Sequence, residues 1–160
     1  MMTSLDKINA LKKINGWAIV SEFAVGGFEW LGFSKLRPEL LFVISSQKNT
    51  VFNCEDGTIQ NCDLIYDEDE MVAFSDVVRD EAISLVGQYG GELKKTTVQG
   101  EQIIESKDNN ISSLTFISKD GKAIQIFENY SLYTFGFNDN GNYFLICNDG
   151  GITVLKRTCN

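Results

Sequence analysis

The chain contains no histidine. That absence removes every catalytic triad or dyad that uses imidazole as its base, and the usual histidine-bearing zinc sites. Enzyme chemistry here would have to run on carboxylates, Cys, Lys or Tyr. Proline occurs once, at Pro38. No apolar run approaches the roughly 20 residues that a transmembrane helix needs. The opening MMTSLDKINALKKING is too polar to supply the apolar stretch of a secretory signal. The four cysteines, Cys54, Cys62, Cys147 and Cys159, have neither a CxxC spacing nor the density of a small disulfide scaffold. They are read as reduced thiols of a cytoplasmic protein, serving as small apolar residues in or near strands. A Cys54–Cys62 bridge across the Asp56-Gly57 turn is the one local pairing available. No cofactor and no metal is predicted. Basic stretches are also missing. With a net charge of −8 and an isoelectric point near 4.5, the chain repels phosphates, so nucleic acid is disfavoured as a partner.

What is present is β pattern, turns and a faint repeat. Phe28–Phe52 and Leu132–Leu155 align with Gly32-Phe33 over Gly136-Phe137. With one residue dropped in the turn, Leu41-Phe42-Val43-Ile44 lies over Phe144-Leu145-Ile146-Cys147, and Thr50-Val51 over Thr153-Val154. Each copy reads strand, Gly-Phe, polar turn, apolar strand, polar turn, strand, which is an antiparallel meander. Leu40–Ile44 is apolar at every position and therefore reads as a central strand with both faces covered. Pro38 belongs to the turn before it, because proline cannot donate to a ladder. Gly121 and the Asn-Gly and Gly-Gly pairs near the C-terminus mark hairpins.

Ahead of the first strand, Leu5, Ile8, Leu11 and Ile14 recur at helical spacing between Ser4, read as the N-cap, and Asn15-Gly16 as the stop. From Trp17 the period changes to two. The fold class expected is all-β: antiparallel meanders forming blade-like sheets, with a short N-terminal helix. The sheets would make either a small propeller-like body, closed by pairing of the first and last strands, or a two-sheet sandwich or irregular barrel. At 160 residues the chain fits a single domain. Roughly eleven strands fall in three groups, 17–62, 82–127 and 132–155. The repeat-like halves 17–62 and 82–157 are joined by an acidic connector, 63–81.

That connector, Asp63–Glu81, holds eight carboxylates against the single base Arg79, so about −7 of the net −8 lies within it. Asp67–Glu70 lacks the alternating oxygen ligands and glycine bend of a calcium loop. It reads either as a solvated loop or as an acidic docking surface, with Asp67, Glu68, Asp69 and Glu70 as its candidate partner-binding residues. Gly87–Gly91 is glycine-rich, but strand follows it where a phosphate loop requires a helix, so it reads as a turn.

Two stretches carry a resemblance. GFEWLGFS and LLFVISSQKNTVFNCEDG within Gly27–Gly57, and LVGQYGGELKKTTVQGEQI at Leu85–Ile103 with YTFGFNDNGNYFLICNDGGITVLKR at Tyr133–Arg157, resemble a family of uncharacterised bacterial proteins. That family shows a GFS motif, an LLVVSSQG-like strand, a GLHGGGL-like turn and a closing GFS-x-x-G-x-x-F with a terminal Arg. The chain departs from the pattern at Asn53, Thr58 and Gln88-Tyr89, the last being a place where histidine is common. The resemblance implies a β-meander fold and a bacterial, cytoplasmic setting. It implies no activity.

The expected function is that of a non-enzymatic interaction protein, in its sharpest form an immunity-type inhibitor that covers a basic toxin with an acidic surface. The alternatives are a small-molecule binder or carboxylate-based hydrolase at the mouth of the sheets, and a structural subunit of an oligomer. No membrane partner is expected.

Overall fold

The computed structural model describes residues 1–158. Cys159 lies outside the described residues. The first element is a helix, α1 (Ser4–Leu11), capped by Thr3 rather than by Ser4. The Thr3 hydroxyl accepts the Asp6 N–H, and the Asp6 carboxylate accepts the Thr3 N–H, so two orphan donors are satisfied reciprocally. The regular helix ends at Leu11, short of Asn15. Tighter turns through Lys13 and Ile14 then carry Ile14 into the core beside Leu11.

Fifteen strands follow: β1 (Trp17–Phe23), β2 (Phe28–Phe33), β3 (Leu40–Ser45), β4 (Asn49–Asn53), β5 (Ile59–Asn61), β6 (Leu64–Asp67), β7 (Val72–Ser75), β8 (Ile83–Ser84), β9 (Val86–Gly87), β10 (Gln102–Asp108), β11 (Ile111–Ile117), β12 (Ala123–Asn129), β13 (Leu132–Phe137), β14 (Tyr143–Asn148) and β15 (Gly151–Arg157). They form four antiparallel sheets. Sheet I is β5-β4-β3-β2-β9, sheet II β6-β7-β8, sheet III β10-β11-β12 and sheet IV β1-β15-β14-β13. The fold is all-β with a short N-terminal helix, and β1 pairs antiparallel with β15 from Trp17↔Arg157 to Phe23↔Ile152.

Two parts of the sequence reading change. The acidic connector is not a loop. It folds into the β6-β7 hairpin and, with β8, makes a sheet of its own. The start of the 82–127 strand group splits at Leu85 into β8, which joins sheet II, and β9, which joins sheet I.

Alternation along the central strands sets the packing. In β3, Leu41 and Val43 point one way and Leu40, Phe42 and Ile44 the other; in β14, Phe144 and Ile146 oppose Leu145 and Cys147. The resulting clusters join sheet II to sheet I, sheet I to sheet IV, and sheet IV to sheet III. Four layers are therefore stacked in the order II, I, IV, III, more than the two of a simple sandwich. Among the described residues no buried cluster joins the outer two sheets.

The repeat survives as register. In sheet I, Gly32 faces Phe42, Phe33 faces Leu41 and Val43 faces Thr50. In sheet IV the aligned residues pair identically: Gly136 with Leu145, Phe137 with Phe144 and Ile146 with Thr153. Both copies carry an irregularity at the same place, one residue into the first strand. The glycines have a shared cause. A Cβ on Gly32 would sit 2.5 Å from the Ser84 carbonyl oxygen, and one on Gly136 would sit 2.5 Å from that of Lys94. Each glycine lets a neighbouring segment lie flat against its strand.

Candidate functional site

Sheet II is an outermost layer and carries the acidic stretch. Its inner face is conventional, with Ala73 and Ile83 fully buried against sheet I. Its outer face is not. Period two places Ile65 and Asp67 on one face of β6, and Phe74 and Val72 on the same face of β7, with exposed Asp63 and Asp76 just beyond the strand ends. Ile65 and Phe74 are direct cross-strand partners, and they are 79% and 50% exposed. An exposed aliphatic–aromatic pair thus sits mid-hairpin with carboxylates at both ends. At one end Asp63 and Asp76 border a recess that also takes in half-buried Cys62. At the other lies the Asp67–Glu70 turn.

The four predicted residues of that turn divide by role. Asp67 caps it: its Oδ1 accepts the N–H groups of Asp69 and Glu70 at 2.9 and 3.1 Å. The following Met71 takes a positive φ of 52°. Glu68 folds back over sheet I, where its Oε1 accepts the Trp30 indole N–H at 3.3 Å. Asp69 and Glu70 are exposed and enter no ion pair among the described residues. At the far end of the acidic stretch, Glu81 is structural; it accepts the Ser34 hydroxyl at 2.6 Å and the Lys35 N–H at 2.7 Å, closing the β2–β3 turn. Sequence reasoning named the carboxylates but missed Ile65 and Phe74. The D-x-I-x-D alternation over 63–67 is the signal, obscured by carboxylates that imitate a solvated connector.

A second polar cluster, between sheets III and IV, was not anticipated. Glu101 is buried and receives four donors: the Trp17 indole N–H at 2.8 Å, the Thr97 hydroxyl at 2.9 Å, and both Arg157 terminal nitrogens at 2.6 and 3.1 Å. Arg157 also stacks on the Trp17 ring, 4.6 Å from its centroid. Burial raises the Glu101 pKa, but the donors from Arg157, Trp17 and Thr97 together outweigh it and hold the carboxyl below its usual range. All its lone pairs are taken, so it is not a free general base. The terminal Arg of the closing motif was the only trace of this cluster in the sequence.

A third group, Glu39, Glu55 and Tyr143, lines an open cleft between sheets I and IV. There the Tyr143 hydroxyl donates to Glu55, while Lys156 holds Glu55 and Arg37 holds Glu39. Each glutamate therefore has a cation beside it, at 3.4 Å for Glu55 and 3.3 Å for Glu39. Of the aromatic residues, Trp17, Phe28, Trp30, Phe33, Phe137 and Tyr143 are all buried, and Tyr133 is partly so. Cys54, Cys62 and Cys147 are free thiols, so the local Cys54–Cys62 bridge does not form. Gly87 and Gly90 bond to each other across a tight turn rather than opening a helix.

No protein-family model matches the chain, and no curated protein matches it. Among the described residues, no helix is long and apolar enough to cross a membrane.

Proposed function

We propose that the chain is a non-enzymatic interaction protein that offers the outer face of sheet II to a basic protein. Its specific form would be an immunity-type inhibitor of a basic toxin in a bacterial cytoplasm. One observation carries this reading: the exposed Ile65–Phe74 pair framed by Asp63, Asp67, Asp69, Glu70 and Asp76. An apolar centre with a polar, singly charged rim is the anatomy of a protein interface. The rim's sign selects a partner rich in Lys and Arg and speeds its approach. The free thiols and the motif resemblance support the cytoplasmic, bacterial setting.

The test is affinity capture from the native host with the wild-type chain and with Phe74→Glu, whose side chain would stay in solvent. The expected result is a basic protein, released by salt and absent from the Phe74→Glu capture. A toxin-like gene immediately upstream would point to the immunity form. The same captured set with both baits, or an acidic partner, would overturn the reading.

A further inference from the structure

At the opposite end of the stack, a cavity of about 310 Å³ opens between the α1–β1 connection, the β11–β12 hairpin and the end of β15. That volume is at the lower end of small-molecule sites, roughly 300–1,000 Å³. Its floor is apolar, made by Ile14, Phe116 and half-buried Ile124. Its side wall is the Glu101–Arg157 pair, which is internally neutral and rigidly bonded. Its rim carries Lys13, Lys119 and Lys122. None of the three is in an ion pair among the described residues. With Glu101 consumed, Asp120 is the one remaining carboxylate among the described residues of the lining. On a chain of net charge −8, this is a local inversion of sign.

We infer that this cavity binds a small amphiphilic anion: a flat apolar body seated on Ile14, Phe116 and Ile124, with one acidic headgroup held by the three lysines. The apolar floor supplies burial, and the lysine stems extend it while their ammonium groups stay in water. The lysines favour the anion over a neutral molecule of the same shape. The site lies on sheets III and IV, away from sheet II, so it stands or falls separately from the protein-docking face.

A pair of dyes tests it. 8-Anilinonaphthalene-1-sulfonate carries the aromatic body and the charge; N-phenyl-1-naphthylamine carries only the body. The sulfonate is expected to bind one equivalent saturably, read as enhanced emission. The triple variant Lys13→Gln, Lys119→Gln, Lys122→Gln alters only exposed side chains. It should weaken the sulfonate about tenfold, taking each exposed charge at a fraction of a kcal/mol, and leave the neutral dye unchanged. No saturable sulfonate binding, equal sulfonate binding to the variant, or equal weakening of both dyes would overturn the inference.

Discussion

Four donors converge on Glu101, and removing their acceptor has a calculable consequence. Arg157 and Glu101 are 14% and 8% exposed, so breaking the pair leaves a cation with little water to replace its partner. Glu101→Gln is expected to cost about 3–5 kcal/mol in urea unfolding at neutral pH. A variant that loses less than about 1 kcal/mol would show the pair to be incidental. The pH dependence follows from the lowered pKa. A depressed folded value means the stabilisation is fully present above the unfolded value, 4.5, and is lost as pH falls through the folded one. The gap between wild type and Glu101→Gln should therefore narrow as acid is added below about pH 4.5. The thiols behave oppositely. Burial pushes Cys147 up to about 12 and Cys62 up to about 11, and raises Cys54 with help from Glu55 and Glu39. A thiol reagent at neutral pH should find Cys54 and Cys147 inert in the native protein and all four cysteines of the chain free after denaturation. Two free groups after denaturation would contradict the reduced state.

Phe33 and Phe137 hold matching places in β2 and β13. Each faces the next layer of the stack, Phe33 toward sheet IV and Phe137 toward sheet III. Truncating either to Ala is expected to cost about 3–5 kcal/mol. A severe effect from Phe137→Ala beside a loss under about 1 kcal/mol from Phe33→Ala would mean that the matched register has no energetic counterpart. The repeat was legible because Gly-Phe, the doubly apolar strand and the Thr-Val strand each record a geometric demand. Those demands are close approach, two covered faces and a paired edge. Leu40–Ile44 and the hairpin at Lys119-Asp120-Gly121 were legible for the same reason. β6, β7 and β8 were not. They are two to four residues long, and carboxylates at their ends imitate a solvated loop, while Ile65 and Phe74 lack the burial that makes alternation convincing. The Glu101–Arg157–Trp17 cluster was invisible because its members are far apart in the chain, Trp17 opening β1, Glu101 just ahead of β10 and Arg157 closing β15, and nothing in a linear chain announces which residues will share a pocket.

The stack is electrically lopsided, with sheet II holding most of the net charge at one end and the lysine-rimmed cavity at the other. Replacing Asp67, Glu68, Asp69 and Glu70 by Asn and Gln keeps the acceptors that Asp67 and Glu68 supply. Folding stability should then hold within about 1 kcal/mol or rise, since the four like charges repel and exposed charges contribute little. Association with a basic partner should slow, and its salt dependence should flatten, because the patch acts through a field screened over about 8–10 Å. Stopped-flow mixing at two salt concentrations measures both. Unchanged rate and slope would remove these four residues from docking.

The pairing of β1 with β15 also dictates an order of events during synthesis. Glu22 and Thr153, bonded across that pair, are 131 residues apart in the chain. At bacterial or eukaryotic elongation speeds of about 5–20 residues per second, β1 waits roughly 7–26 s for its partner. Sheets I and II, complete by Gly87, can assemble on the ribosome meanwhile. Sheet IV, which supplies both inner faces of the remaining core, is finished last. Until it is complete, the apolar side chains of β1 and the sheet I face bearing Phe33 and Leu41 lack the cover that sheet IV provides, and the nascent chain exposes them until the closing strand emerges.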